Sequence, residues 1–229
     1  MKLNETKTKV MIFNIASSVD ILPELKINNE NILEVVEEMK LLGIVIQSNL
    51  KWKSNTSNLT KKGWRRMWLL RNLNKLGGSE EQLLKVYIEQ IRSVLEMACP
   101  VWHPGLTEIE TRNIERLQKT AFAIIRGQDH TNYRDALEHF NLNSLKQRRE
   151  DLCLNFAKKA LKSEKFKNWF CRNEQNVETR RAKMHLKEVY TRTRRYEKSP
   201  LPNLTKLLNS HLHNDNLSER SLELWRPLG

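Results

Sequence analysis

The sequence has few of the residues that make turns, aromatic-rich sheets or disulfide frameworks. Of its 229 residues only seven are glycine and 7% are aromatic, whereas 29% are charged. This composition favours a helix-rich protein over a β-sandwich, a collagen-like chain or a disordered one. The three cysteines, Cys99, Cys153 and Cys171, lie far apart, so we expect reduced, buried thiols.

Long apolar runs are also missing. No segment approaches the roughly 20 apolar residues that a membrane-spanning helix needs, and the start, MKLNETKTK, lacks the apolar core of a secretory signal. The basic residues have no broad Phe/Leu/Trp face for insertion into a bilayer, which disfavours a peripheral membrane protein. We therefore predict a soluble, intracellular protein of the nucleus or cytoplasm, with no membrane partner.

Clusters that could bind a metal ion or perform chemistry are scarce as well. Asp20 is the only aspartate among the first fifty residues, and no adjacent acidic residue completes a two-metal site. The spacing of Cys99 and His103 could serve a metal, but no second pair follows. No nucleophile–base arrangement or phosphate-binding glycine loop is visible. The residues themselves predict no metal site and no cofactor.

The abundant feature is positive charge, and it is unevenly spread. The formal net charge is +13, of which residues 1–50 contribute −2 and residues 51–229 contribute +15. Residues 51–75 contain no acidic side chain and eight basic ones: Lys51, Lys53, Lys61, Lys62, Arg65, Arg66, Arg71 and Lys75. Such asymmetry points to a polyanionic partner.

A helical period begins near Ser57 and orders these charges. Lys61 and Arg65 form one i, i+4 column and Lys62 and Arg66 the next, while Leu59, Trp64, Met67 and Leu70 lie mostly on the other side. Stacked like charges destabilise a helix unless an anion lies against them, and phosphate is the obvious candidate. Trp68 lies within the basic arc and could contact a sugar or base, although a Trp at helical spacing is more often a core residue.

The stretch before this helix, residues 40–52, has the sequence KLLGIVIQSNLKW. Its apolar run from Leu41 to Ile46 is typical of a strand buried on both faces. Gly43 within that strand predicts either a plain bulge or the close approach of another backbone or a ligand. Further strands are expected near Thr8 and on both sides of the turn-prone residues 28–30.

Four further helices are indicated downstream. Ser79 with Gln82, and Thr107 with Glu110, form capping-box signatures, and Ser144 with Gln147 caps a longer helix. We expect the first of these helices to end at Cys99-Pro100 and a short helix to cover residues 135–140. Together these helices predict a small bundle.

A second basic stretch covers residues 158–198, with fourteen basic and five acidic side chains. It ends in a cluster that contains Arg192, Arg194, Arg195 and Tyr196. The apolar period weakens here, so we expect an arm rather than a packed helix. Two interpretations stay open: a solvated tail, or an arm that becomes ordered on nucleic acid. A last helix is expected over residues 204–212.

Several of these segments resemble the reverse transcriptases of non-long-terminal-repeat (LINE-type, jockey-like) retrotransposons. The last two palm motifs of that family resemble LNxxKTxxMxF at residues 3–13, KLLGI at 40–44 and NLKW at 49–52. The thumb region of the family resembles IRSVLE at 91–96, PVWH at 100–103 and IERLQK at 114–119. The resemblance covers most of the chain, and the order and spacing of the motifs make it specific.

The resemblance implies roles for particular residues. Lys7 matches the palm lysine beside the incoming nucleotide, where an ammonium could protonate or neutralise the pyrophosphate leaving group. Without the resemblance, Lys7 would be a solvated lysine at a strand edge. Leu42 and Gly43 match the primer grip. The aspartates that hold Mg ions in the intact family enzyme lie upstream of any residue matched here, so we expect the chain not to polymerise as an isolated fragment.

The predicted fold is α+β: short antiparallel strands of a truncated palm, a helical thumb-like bundle and a basic extension, over residues 1–52, 53–163 and 164–229. The predicted function is that of a fragment of an RNA-directed DNA polymerase. It binds an RNA–DNA hybrid or duplex primer–template and partners with the missing upstream palm and fingers. The nucleic-acid contacts would come from Leu42, Gly43, Lys51, Lys61, Lys62, Arg65, Arg66, Trp68, Arg192, Arg194 and Arg195. The alternative is a helical protein-interaction module whose basic surface binds an acidic partner protein.

Overall fold

The computed structural model describes residues 8–13, 25–27, 31–129, 132–171 and 186–214. Lys7 and Asp20 lie outside these ranges, as do the turn residues 28–30. Among the described residues the fold is α+β, with short paired strands before residue 48 and helices from residue 53 onward. No described helix is both long enough and apolar enough to cross a membrane.

The strands form three two-stranded pairs rather than one antiparallel sheet. They are β1 (Lys9–Val10), β2 (Lys26–Ile27), β3 (Asn31–Ile32), β4 (Glu34–Val35), β5 (Glu38–Leu41) and β6 (Ile44–Gln47). The β2·β3 pair is antiparallel, as predicted; β5 and β6 form a second antiparallel pair that was not predicted, and β1 and β4 pair in parallel. Among the strand residues whose burial is described, Ile44 alone is buried, whereas Ile32, Val35 and Leu41 are exposed.

The expectation of a single buried strand across Leu41 to Ile46 is wrong. The chain reverses at Leu42-Gly43, so that Leu41 pairs with Ile44 and Lys40 with Val45. Both turn residues have positive φ, 47° at Leu42 and 89° at Gly43, as in the type I′ hairpin turn. Leu42 is 91% exposed. Gly43 is a turn residue and not a bulge within a strand, and the group nearest to it is the Met97 side chain, whose Cε would lie 2.9 Å from a Cβ there, rather than the predicted backbone or ligand.

The helices account for most of the remaining described chain. They are α1 (Lys53–Lys75), α2 (Glu80–Val86), α3 (Ser93–Glu96), α4 (Cys99–Trp102), α5 (Glu108–Arg126), α6 (Tyr133–His139), α7 (Leu145–Lys162), α8 (Arg194–Glu197) and α9 (Pro200–Asn214). A π-helical segment, Tyr87–Arg92, joins α2 to α3.

Helix α1 begins one turn earlier than the periodicity predicts, at Lys53. Side chains from the hairpin and from the helix exchange hydrogen bonds there: Val45 N donates to Asn55 Oδ1 (3.1 Å) and Ser54 N donates to Gln47 Oε1 (3.2 Å). Gly63 allows α1 to approach its neighbours, since a Cβ there would lie 3.1 Å from Leu117 Cδ2 of α5. The hairpin, α1 and α5 therefore pack as one unit.

The second predicted helix ends earlier than expected. It stops at Glu96, and Ala98 has a φ of 49°. Pro100 does not terminate a helix but lies in the first turn of α4, where its missing N–H costs nothing. The predicted caps are confirmed: Ser79 and Thr107 form complete capping boxes, and Ser144 accepts a hydrogen bond from Gln147 N.

Two glutamates connect the helices. Glu115 of α5 accepts hydrogen bonds from the backbone N–H groups of Leu145 (3.1 Å) and Lys146 (3.3 Å), so it caps α7 from outside that helix. Glu96 forms two ion pairs: its Oε1 lies 3.1 Å from Arg148 Nε and 3.5 Å from Arg92 Nε. These contacts fix α7 against α3 and α5.

The end of the described chain packs on the bundle. Leu204 and Leu208 of α9 are buried in the same core as α4 and α7. Asn209 holds the incoming segment, because its side chain accepts from Leu186 N (2.9 Å) and donates to Leu186 O (3.0 Å). Helix α9 begins at Pro200, four residues before the predicted start at residue 204.

Candidate nucleic-acid interface

Helix α1 presents a basic, aromatic face to solvent. Leu59, Met67 and Leu70 are buried on its inner side, as predicted. Lys61, Arg65 and Trp68 are exposed on the outer side, and Trp68 is 64% exposed. Trp64, expected nearer the core, is 37% exposed, and Leu69 is also exposed. We call Lys61, Trp64, Arg65 and Trp68 the α1 outer face.

The two predicted columns of charge differ in what they contact. Lys61 and Arg65 form no ion pair within the described part of the chain. In the other column Lys62 is half-buried, and Arg66 donates a hydrogen bond from Nη1 to the carbonyl oxygen of Gln90 in the π-helical segment. Arg66 is thus partly engaged within the protein, whereas Lys61 and Arg65 remain available for an external anion.

A cavity of about 790 Å³ lies at the start of α1. Its walls come from residues 50–60, from the turn before α5 with the first turns of α5, and from residues 193–200. Four cations line it: Lys51, Lys53, Arg195 and Lys198. Its one carboxylate, Glu110, is already engaged by Thr107, whose N–H and hydroxyl each donate to Glu110 Oε2 at 2.7 Å.

Aromatic and apolar groups complete this cavity. Trp52 and Tyr196 line it together with Ile109 and Pro200. The indole of Trp52 lies against the backbone of Gly105, where a Cβ would come within 2.5 Å of Trp52 Cδ1. Because residue 105 is a glycine, the Trp52 ring has room to lie there.

The structure brings together only some of the predicted site residues. Lys51 and Arg195, 144 positions apart in the sequence, line the same cavity. Arg192 and Arg194 are exposed outside the cavity. Leu42 and Gly43 form the hairpin tip, where Leu42 is exposed and Gly43 lies beside the Met97 side chain. Lys7 lies outside the described residues.

The sequence prediction missed Lys53, Trp52, Tyr196 and Lys198 as site residues. Trp52 and Lys53 directly follow Lys51 in the sequence, so their position beside a predicted site residue could have identified them. Tyr196 and Lys198 adjoin Arg195, but nothing in a local pattern shows that this segment folds back onto the start of α1. That contact depends on α9 and its packing on α4 and α7.

A second cationic site, at Arg149, is buried in the core and contributes to the fold. Arg149 of α7 is 0% exposed; its Nε donates to His103 Nδ1 at 3.2 Å, and its guanidinium lies 5.9 Å from the ring centroid of Trp102. Burial, and secondarily the charge of Arg149, lower the pKa of His103 to about 4. The neutral imidazole therefore accepts the hydrogen bond at Nδ1.

The cysteines show one departure from expectation. Cys99 and Cys153 are buried and free, as predicted, whereas Cys171 is exposed. His103 is engaged by Arg149, and no group of three or more His, Cys, Asp or Glu side chains among the described residues is arranged to hold a metal ion.

Comparisons with protein-family models, with curated proteins and with solved structures find no match to this chain.

Proposed function

We propose that this chain binds a primer–template duplex, such as an RNA–DNA hybrid, through the phosphates that lie against the α1 outer face. Its role would be that of the thumb segment of a retrotransposon RNA-directed DNA polymerase. The observation that carries the proposal is the solvent-facing column of Lys61 and Arg65, which has no ion pair among the described residues, beside the exposed Trp68. The motif resemblance at residues 3–13 and 40–52 supports the same role.

Lys61 and Arg65 have no ion-pair partner among the described residues. Like charges at i, i+4 destabilise a helix by about 0.2–0.5 kcal/mol per pair. Residues 51–75 offer no carboxylate to relieve this repulsion. A phosphate backbone relieves it and gains the entropy of the counterions released on binding. Such contacts position a duplex without reading its sequence.

The roles that the resemblance implies for other residues are part of the same proposal. Leu42 and Gly43, at the tip of the β5·β6 hairpin, would approach the primer end, and Lys7 would lie near the incoming nucleotide. The exposed apolar side chains Ile32, Val35 and Leu41 support a protein partner at the strands, the upstream palm of the same polymerase. In this proposal the chain supplies grip and not catalysis.

The test is fluorescence anisotropy with a labelled RNA–DNA hybrid, titrated across salt concentration. The double variant Lys61→Gln/Arg65→Gln is expected to weaken binding about tenfold or more, and to reduce the slope of log K against log salt by about 2, because two phosphate contacts are lost. The matched control is Arg112→Gln/Arg116→Gln, which neutralises an exposed i, i+4 pair on α5. It removes the same number of charges, but from α5 and not from the α1 outer face, so it should bind within about twofold of the wild type.

A second candidate function is a protein-interaction module for an acidic partner. The exposed apolar side chains of Trp68 and Leu69 beside the cations favour it, because they could pack on a partner protein. An acidic peptide serves as the competing probe. Binding to that peptide as tight as to the hybrid, or equal losses in the two double variants, would contradict the duplex proposal.

A further inference from the structure

The cavity at the start of α1 differs from the α1 outer face in shape and in lining. The outer face is an open helix surface suited to a duplex backbone. The cavity is a recess of about 790 Å³ enclosed by three segments of the chain. That volume falls within the range of roughly 300–1,000 Å³ typical of sites for small organic ligands.

The chemistry of the lining selects an anionic ligand with a flat ring. Four cations, Lys51, Lys53, Arg195 and Lys198, meet one carboxylate that is engaged in a helix cap. None of the four forms an ion pair within the described residues. Trp52 and Tyr196 add aromatic faces to the same walls. Cations combined with aromatic rings are the lining that proteins use to hold unpaired nucleotides.

The position of the cavity connects it to the duplex surface. Lys53, Ser57 and Thr60 line the cavity, and Lys61, Trp64 and Arg65 continue along α1 on the exposed side. From Lys53 to Lys61 the helix rises about 12 Å, a distance of only a few nucleotides of backbone. A strand that leaves a duplex on the outer face therefore reaches the cavity without crossing a buried surface.

We propose that this cavity binds one unpaired nucleotide at the end of a nucleic-acid duplex. Its base packs on Trp52 and Tyr196, and its phosphate lies among Lys51, Lys53, Arg195 and Lys198. The inference rests on the proposed duplex function and adds a selectivity to it. The protein distinguishes a duplex with an overhang from a blunt duplex.

The experiment uses the full chain and three hybrid duplexes of equal paired length: blunt, with a two-nucleotide overhang, and with the same overhang made abasic. The overhang contains 2-aminopurine, whose fluorescence is quenched by stacking. We expect the overhang duplex to bind at least about fivefold more tightly than the other two, since a base that stacks on an aromatic side chain adds to the affinity. We also expect the fluorophore to be quenched on binding.

A matched pair of tyrosine variants locates the effect. Tyr196→Ala should remove the overhang preference and the quenching, whereas Tyr190→Ala should retain both. Tyr190 is an 85% exposed tyrosine of the same segment and does not line the cavity. The cap of α8 survives the Tyr196 substitution, because the backbone N–H of residue 196 makes the bond to Thr193 Oγ1. Arg195→Gln/Lys198→Gln should weaken binding of the overhang duplex more than that of the blunt duplex.

The outcomes separate the two proposals. Equal binding of blunt and overhang duplexes would overturn the nucleotide pocket and leave duplex binding by the outer face intact. Quenching of a short single strand without measurable duplex binding would support the pocket and overturn the duplex proposal. An acidic peptide that displaces the overhang strand at equal concentration would also overturn the pocket, because charge alone would then explain it.

Discussion

Arg149 and Arg65 are the same residue type in opposite surroundings. Arg149 is fully buried between Trp102 and His103, and neither of its terminal nitrogens has a hydrogen-bond partner within the described residues. Arg65 is exposed on α1, four residues from Lys61, and forms no ion pair with the described residues. A buried cation shapes the core at a cost to stability, whereas an exposed one costs little and stays available to a partner. Four predictions test this contrast, from the largest expected effect to the smallest.

The largest expected effect is a difference in the free energy of unfolding between alanine variants of two tryptophans. Trp102 is fully buried and donates from Nε1 to the carbonyl of Met97 at 2.9 Å, whereas Trp68 is largely exposed. Trp102→Ala should lower the free energy of unfolding by about 3–5 kcal/mol, because it leaves a cavity and an unpaired carbonyl. Trp68→Ala should change it by less than about 0.5 kcal/mol, while weakening hybrid binding. Urea denaturation measures the first effect and anisotropy the second; similar losses of stability in both variants would remove the contrast.

The next prediction compares two substitutions of Arg149 whose replacement side chains differ in volume. Arg149→Ala should lower the free energy of unfolding by about 2–4 kcal/mol, since the packed stem is lost as well as the charge. Arg149→Met keeps most of that volume and removes a charge whose terminal nitrogens are unpartnered, so it should be clearly the milder change. Equal destabilisation by the two, measured in urea, would show that the guanidinium contributes more than packing.

The buried site should also make stability depend on pH. The pKa of His103 is about 4 in the folded protein and about 6.5 when unfolded, so the unfolded chain binds more protons between these values. Stability should therefore fall as the pH drops from 6.5 toward 4, by as much as about 3 kcal/mol from this group. His103→Asn keeps an acceptor for Arg149 and has no titration. The difference between wild type and variant in urea midpoints across this range isolates the effect, and parallel curves would refute it.

The exposed arginine should have the smallest effect on stability. Arg65→Gln removes the repulsion with Lys61 and should raise the free energy of unfolding by a few tenths of a kcal/mol at low salt. The gain should vanish near 1 M salt, where the Debye length is about 3 Å. Thermal unfolding at two salt concentrations measures it. A loss of stability in Arg65→Gln at low salt would mean that Arg65 stabilises the folded protein and is not an uncommitted cation available to a ligand.

Local chemistry made several elements predictable. Ser79, Thr107 and Ser144 each cap a helix as expected, because a cap involves only residues within one turn of each other. The amphipathic pattern of α1 likewise separated buried Leu59 and Met67 from exposed Lys61 and Arg65. The strand prediction across Leu41 to Ile46 failed because an apolar run does not show where the chain reverses when a leucine takes a turn position.

By itself, the sequence determined the helical class of the larger part, the starts of its capped helices and the uncompensated positive charge of residues 51–75, since these depend on composition and on neighbours within a turn. Tertiary structure alone decided the rest. The tip of the hairpin lies with Gly43 beside the Met97 side chain, Gln47 and Asn55 connect the hairpin to the start of α1, and Arg149 lies against Trp102 and His103. The meeting of Lys51 with Arg195 requires α9 to pack on the bundle. Contacts between residues so far apart in the chain carry no local signature.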